Sequence, residues 1–318
     1  MWALPSLYLV AWLTGAPSGV SAQQSLPDAI GSSPAPVALP ASLEGTDIAR
    51  ALKDRDWSRA EDLLVVEIDR QPNSPDLLKL LGRIFLIDRK PLNAAIAIKK
   101  AEALGPIDEV TRVTLVLAYV AMKRGDWARP ELERLVRANA SNPLYQYWLG
   151  RLDYDDRQYA SAIARFGQVI TRDPGSIRAY DNLGLCYEAL NQPDQAIAHY
   201  RRANELNRNA SQKSVWPPLN LGTLLRQRGE LDEAEALLRE ALRYDAFSAK
   251  ARYQLGAVLE EQGRFEQATS ELIRAAGDDT SLAEPHYALA RIYRHQGRHV
   301  EADEALATFR RLRDAKRE

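Results

Sequence analysis

Cysteine is nearly missing from this sequence: Cys186 stands alone in 318 residues. No intrachain disulfide can form, and a thiolate metal centre lacks its ligands. Histidine is almost as scarce, with four residues. Neither sign of charge is in surplus, since 42 Lys+Arg face 43 Asp+Glu for a net charge of −1. A nucleic-acid binder usually carries a basic excess, and an acidic disordered tail the opposite, so both classes are set aside. Long apolar runs are absent too. The early stretch at residues 7–13 falls well short of the roughly 20 apolar residues that a membrane-spanning helix needs. Neither a phosphate-cradling glycine loop nor a nucleophile elbow occurs. What is present is 46% apolar and 27% charged residues, the proportions of a globular chain.

Residues 1–22 read as a cleaved secretory signal. No charged side chain precedes Asp28, Gly15, Pro17 and Gly19 break the apolar run, and Val20-Ser21-Ala22 offers a cleavage site after Ala22. No Lys or Arg opens the segment, which leaves a retained anchor or a misplaced start as the other readings. Residues 23–42 carry Pro27, Pro34, Pro36 and Pro40 among small side chains and read as a flexible, partly extended tether. The expected location is outside the cytoplasm, periplasmic or secreted.

The remainder, 43–318, is periodic. Small alanines recur at Ala60, Ala94, Ala162, Ala196, Ala234, Ala268 and Ala302, in steps of 34, 68, 34, 38, 34 and 34. Leu-Gly pairs recur at Leu81-Gly82, Leu149-Gly150, Leu183-Gly184, Leu221-Gly222 and Leu255-Gly256, in steps of 68, 34, 38 and 34. Both series share one period and one four-residue insertion, which chance does not readily supply. Within a unit the spacing is helical. Tyr180, Leu183, Gly184 and Tyr187 share one face, and Ala196, Tyr200 and Ala203 share another. Turns between the two helices are expected at Gly125-Asp126-Trp127, Gly229-Glu230-Leu231, Gly263-Arg264-Phe265 and Gly297-Arg298-His299, because glycine ends a helix at little cost. Pro72, Pro106 and Pro174 lie beyond the second helices.

Two copies carry the pattern best: Leu78, Leu81-Gly82, Phe85, Ala94, Ile98, Ala101 and Pro106, and Tyr180, Leu183-Gly184, Tyr187, Ala196, Tyr200 and Ala203. This pattern resembles the tetratricopeptide repeat family, and the chain is identified as a member of an exported bacterial type. The resemblance implies an all-α, right-handed α-solenoid of about eight helix–turn–helix units, near 41–74, 75–108, 109–142, 143–176, 177–210, 215–248, 249–282 and 283–316. Three departures stand out. Asp47-Ile48 replaces Leu-Gly in the first unit, Pro130 falls at the small-alanine place in the third, and Asp153 takes a tyrosine place in the fourth. One such pair buries too little apolar surface to offset the entropy of ordering it, so neighbours must cover one another.

Stacking of this kind implies a concave face lined by the first helices. Carried over by position, the lining is Tyr147, Arg151 and Tyr154, then Asp181 and Asn182, Asn220 and Thr223, Tyr253 and Glu260, and Tyr287, Arg291 and Arg294. Amides suit a peptide backbone, rings suit apolar side chains, and arginines suit carboxylates. Asn182 and Asn220 resemble two rungs of the asparagine ladder of O-GlcNAc transferase repeats. The carboxylate clamp for chaperone tails is not matched by Arg178, Asp181 and Leu185. The family implies a non-enzymatic scaffold gripping a protein or extended peptide, with no nucleic acid, no cofactor and no metal. An accessory subunit of an envelope enzyme or of a secretion or assembly complex is the second reading.

Other groups read as structural. Gly297 interrupts the His295/His299 pair, and Asp153, Asp155 and Asp156 form an acidic knot that suits a solvated turn better than a cation. Cys186 reads as a small packing residue. Arg310, Arg311, Arg313, Lys316 and Arg317 suit the end of a solvated capping helix. The inserted stretch, residues 207–218, brings Trp216, which either packs under the loop or anchors a partner.

Overall fold

The computed structural model describes residues 39–316; the expected signal and most of the expected tether lie outside the described residues. Sixteen α-helices follow one another, with no strand among the described residues. They are α1 (Asp47–Lys53), α2 (Trp57–Arg70), α3 (Pro75–Ile87), α4 (Pro91–Leu104), α5 (Glu109–Ala121), α6 (Gly125–Ala138), α7 (Pro143–Asp155) and α8 (Tyr159–Arg172). Then come α9 (Ile177–Ala189), α10 (Pro193–Asn209), α11 (Trp216–Gln227), α12 (Leu231–Tyr244), α13 (Ala249–Glu261), α14 (Phe265–Asp278), α15 (Glu284–His295) and α16 (His299–Ala315). Two compact units divide inside α8, at Arg165 and Phe166.

The helices begin where the sequence supplies caps. Asp56, Ser74, Asp108, Asn142 and Ser248 each accept a backbone N–H in the first turn that follows. Pro75, Pro91, Pro143 and Pro193 open their helices, where a missing N–H costs nothing. First helices end in one repeated motif. The residue that opens the turn to the second helix has positive φ, and the next N–H bonds back five residues, as Lys90 N–H does to Phe85 C=O at 2.7 Å and Gln192 N–H to Tyr187 C=O at 2.8 Å. Glycine fills that left-handed place at Gly229, Gly263 and Gly297, with φ of 73–78°. The other five turns use Arg55, Arg89, Lys123, Arg157 and Asn191, with φ of 56–61°.

This corrects the third unit. Lys123, not Gly125, turns the chain, and Gly125 is already the first residue of α6. The small-alanine place belongs to Ala128, which is fully buried. Pro130 sits two residues on, inside α6 and exposed. The backbone carbonyl it leaves without an i+4 donor belongs to the exposed Asp126, which water can satisfy.

In the first unit, α1 packs on α2, α3 on α4 and α5 on α6, while α2 meets α3, α4 meets α5 and α6 meets α7. The first helices α3 and α5 also touch. Leu64, Ile84, Ile98, Leu115, Leu132 and Leu149 form its dry centre. In the second unit the pairs are α9 with α10, α11 with α12, α13 with α14 and α15 with α16, and first helices touch in the order α9, α11, α13, α15. Tyr200, Leu225, Leu238, Val258 and Leu272 fill the space between them.

Close pairing depends on glycine in the first helix facing a large side chain in the second. A Cβ on Gly82 would stand 2.6 Å from Ile98 Cγ1, one on Gly256 2.7 Å from Leu272 Cγ, and one on Gly184 would enter the ring of Tyr200. The alanines at 60, 94, 128, 162, 196, 234, 268 and 302 are all fully buried at the same approach.

The four-residue insertion has a defined shape. α10 runs on to Asn209, and the buried Asn207 clamps the loop by donating to Ser214 C=O and accepting from Ser214 N–H, both at 2.8 Å. Lys213 Nζ donates to the carbonyls of Arg208 and Ala210, closing the helix end. Trp216 then opens α11, with Pro217 and Pro218 in its first turn.

Candidate functional site

The expected lining residues separate into buried and open groups. In the first compact unit, Tyr147, Arg151 and Tyr154 of the fourth repeat lie on α7 and are all buried, at 6, 9 and 7% exposure. The Arg151 guanidinium stands 5.4 Å over the Tyr154 ring and pairs with Asp155 at 3.3 Å. These three therefore work as packing within the unit and leave little surface to a partner.

The asparagine ladder does not form. Asn182 is fully buried and donates to the Arg178 carbonyl of its own helix at 2.8 Å. Asn220 reaches back from α11 to α9 and donates to both carboxylate oxygens of Asp181, at 3.0 and 3.2 Å. Asp181 is itself 2% exposed. A buried carboxylate needs such donors, so this pair holds neighbouring first helices in register. Thr223 spends its hydroxyl on the Leu219 carbonyl at 2.7 Å.

Open groups remain on α13 and α15. Tyr287 is 47% exposed and rests against Phe309 of α16, with ring centres 5.2 Å apart. Arg291 lies 5.6 Å over the Tyr287 ring and pairs with Glu260 at 2.6 Å. Tyr253, half-buried on α13, feels Arg226, Glu284, Arg291 and Glu260, and burial raises its pKa. Burial also raises Glu260 above the usual glutamate range against the pull of Arg291. Trp216 is half-buried, with the Lys250 ammonium 5.7 Å above its ring. Lys250 is held below the ordinary lysine value by burial, although Glu284 and Asp279 pull the other way. Lys250 and Glu284 stand at the second position of their repeats, a concave-facing place that holds a different residue type in each repeat and that the expected lining leaves out.

The other groups are committed to structure. Asp153, 1% exposed, is held by Arg129 and Arg165, each at 2.6 Å, and Arg129 also reaches Asp156 at 2.8 Å. The acidic knot is thus an arginine-bound strut, and among the described residues no cluster of His, Cys, Asp and Glu is arranged for a metal ion. His295 and His299 fall on different helices, and His295 packs on Phe265 at 4.5 Å. Cys186 is buried. A cleft of about 530 Å³ between α10 and α12 is lined by Arg201, Arg202 and Arg208. Each of those arginines already pairs with a glutamate, respectively Glu233, Glu205 and Glu240.

Family profiles described as tetratricopeptide repeat match residues 154–215, 219–284 and 283–311. The chain is a tetratricopeptide repeat protein. Its helix pairs form an all-α repeat solenoid of that family. Among solved structures it is similar to PilW, described as a widely conserved type IV pilus biogenesis factor, with a TM-score of 0.57 and 19% identity over 63% of this chain and 92% of that one. It also resembles the APC/C hetero-tetramer Cut9–Hcn1, with a TM-score of 0.54 and 18% identity over 87% of this chain and 56% of that one. Both likenesses concern the fold. Cellulose synthase operon protein C of Pseudomonas fluorescens (strain SBW25) is 25% identical over 224 residues, 66% of this chain. The chain spans only 18% of that relative's length. No helix among the described residues is long and apolar enough to cross a membrane.

Proposed function

We propose that this tetratricopeptide repeat protein is a non-enzymatic scaffold, exported from the cytoplasm, that holds an extended segment of a partner protein on the face of its first helices. The observation that carries the reading is the contrast on that face. Asp181, Asn182 and Thr223 are spent on internal bonds, whereas Tyr253, Tyr287 and Arg291 keep open surface on consecutive first helices. Aromatic and arginine side chains with open surface are the usual anchors of protein interfaces. Likeness to a cellulose synthase operon protein supports the narrower reading of an accessory subunit in an envelope complex.

Site-specific photo-cross-linking tests the scaffold. A benzophenone side chain at Tyr287 is expected to capture one defined partner in the producing cell. The same group at the exposed Ile273 of α14 is expected to capture none. Equal labelling from both positions, or no adduct from Tyr287, would count against the face assignment. Export is checked by fractionation of the native chain with mass determination of its first residue, for which Gln23 is expected.

A further inference from the structure

Most charged groups in the second unit have answered one another. Arg226 bonds Gln254 at 3.1 Å and also Glu261, and Arg252 bonds Glu271 at 3.0 Å and Asp278 at 2.7 Å. Three polar tips in one neighbourhood have not. Lys250 has no carboxylate within ion-pair distance, the Tyr253 hydroxyl makes no hydrogen bond, and Glu284 Oε2 is buried without a partner among the described residues. Asp279, the other acid near Lys250, is occupied by Ser281.

These tips share a frame. Trp216, Lys250 and Glu284 stand 34 residues apart in turn, so they fill one equivalent place at the start of α11, α13 and α15. Tyr253 lies one helical turn beyond Lys250 on the same side of α13. An unanswered charge away from water is expensive, and a long lysine could close onto the glutamate of the next helix if internal pairing were its purpose. The groups are instead offset in kind: a cation and a hydroxyl donor on one helix, an acceptor on the next, and an indole ring behind the cation.

We propose that Trp216, Lys250, Tyr253 and Glu284 form a subsite for an acidic residue of an extended peptide. The peptide carboxylate accepts from Lys250 Nζ and Tyr253 Oη, a backbone N–H farther along the peptide donates to Glu284 Oε1, the carboxylate oxygen that is not enclosed, and Trp216 covers the methylenes of the acidic side chain. This deepens the scaffold reading and rests on it. Packed helix axes lie about 8–10 Å apart, and an extended chain advances about 3.3 Å per residue. The donor N–H therefore comes two or three residues from the acidic one. The nearby Lys316 adds to the positive field on Lys250 and favours an anion there.

The test uses the mature chain and the peptide Ac-Gly-Ser-Gly-Glu-Gly-Ser-Gly-NH2, its glutamine counterpart, and sodium glutarate. Binding is read from tryptophan fluorescence, with Trp216→Phe as the control that identifies the reporter. The glutamate peptide is expected to bind and the glutamine peptide to bind about tenfold more weakly, with Lys250→Gln causing a loss of the same size in the parent complex. Tyr253→Phe removes one hydroxyl with little risk to folding and is expected to weaken binding several-fold. Equal affinity for the two peptides, or full affinity in Lys250→Gln and Tyr253→Phe, overturns the subsite. Glutarate matching the peptide overturns the peptide assignment in favour of a small-anion site. Loss of the subsite with the Tyr287 cross-link intact leaves the scaffold standing; loss of both removes it.

Discussion

Replacing Gly184 by alanine is the sharpest test of how the helix pairs are held. Gly184 is the eighth residue of α9, and alanine there gains about 1 kcal/mol of helix propensity. The added Cβ would stand 2.8 Å from Tyr200 Cζ and closer still to Cδ1 and Cε1. Carbon atoms prefer about 3.5–4.0 Å, so ring and helix must part by roughly 1 Å. The ring cannot easily yield. Tyr200 is fully buried, and its hydroxyl donates to Glu188 Oε2 at 2.9 Å, on the same helix as Gly184. Overpacking of this kind costs about 1–3 kcal/mol, and straining a hydrogen bond to a carboxylate adds about 1.5 kcal/mol. After the propensity gain, a net loss of about 2–3 kcal/mol is expected. Gly222→Ala is the internal control. Its Cβ would meet Leu238 Cγ at 3.0 Å and the Ala234 carbonyl oxygen at 3.2 Å, a milder crowding that the propensity gain should largely offset. Urea unfolding followed by far-UV circular dichroism measures both variants, and Tyr200→Leu in the Gly184→Ala background should restore part of the loss. A Gly184→Ala protein as stable as the parent, or less harmed than Gly222→Ala, would refute the close-approach argument.

Two further outcomes are expected. Arg55→Gly and Arg157→Gly, at exposed turns with φ of 58° and 60°, should each stabilise by about 0.5–1 kcal/mol, because a side chain in the left-handed region is strained; chemical denaturation that moves the other way would show that these arginines stabilise more than they strain. His199 is stacked on Tyr187, with ring centres 5.1 Å apart, and its pKa is lowered by burial. The folded chain then prefers the neutral ring, so stability is intact above the ordinary value of about 6.5 and falls as pH drops through it, when only the unfolded chain takes up the proton. His286 is displaced the same way by burial and by Arg311. His199→Phe should flatten the melting temperature between pH 7.5 and 5.5, measured by differential scanning fluorimetry; an unchanged slope would remove His199 as a source.

The repeat could be read from one dimension because it is written in residues whose size alone decides the outcome. A fully buried alanine recurs at the place of Ala196 in all eight helix pairs, and a glycine at the place of Gly184 in five of them. Turn positions were less legible. A left-handed residue is obvious when it is Gly229 and nearly invisible when it is Arg157, since five of the eight turns accept strain that packing offsets. The nearby Gly125 drew the third turn two residues out of register, and Pro130 was displaced with it.

The candidate site shows the opposite balance. Position in the repeat placed Tyr253, Tyr287 and Arg291 on the first helices, and it placed Asn182 and Asp181 there equally. Only the packed structure distinguishes them, by spending Asp181 on Asn220 and turning Asn182 onto Arg178. By residue type Asp153 is foreign to a buried slot; Arg129 and Arg165, from α6 and α8, hold it there. Helical period and small-residue spacing are local properties of the chain, so the sequence by itself determined the repeat and its family. Which polar tips stay unanswered depends on partners brought from other helices, and that the tertiary structure alone decided.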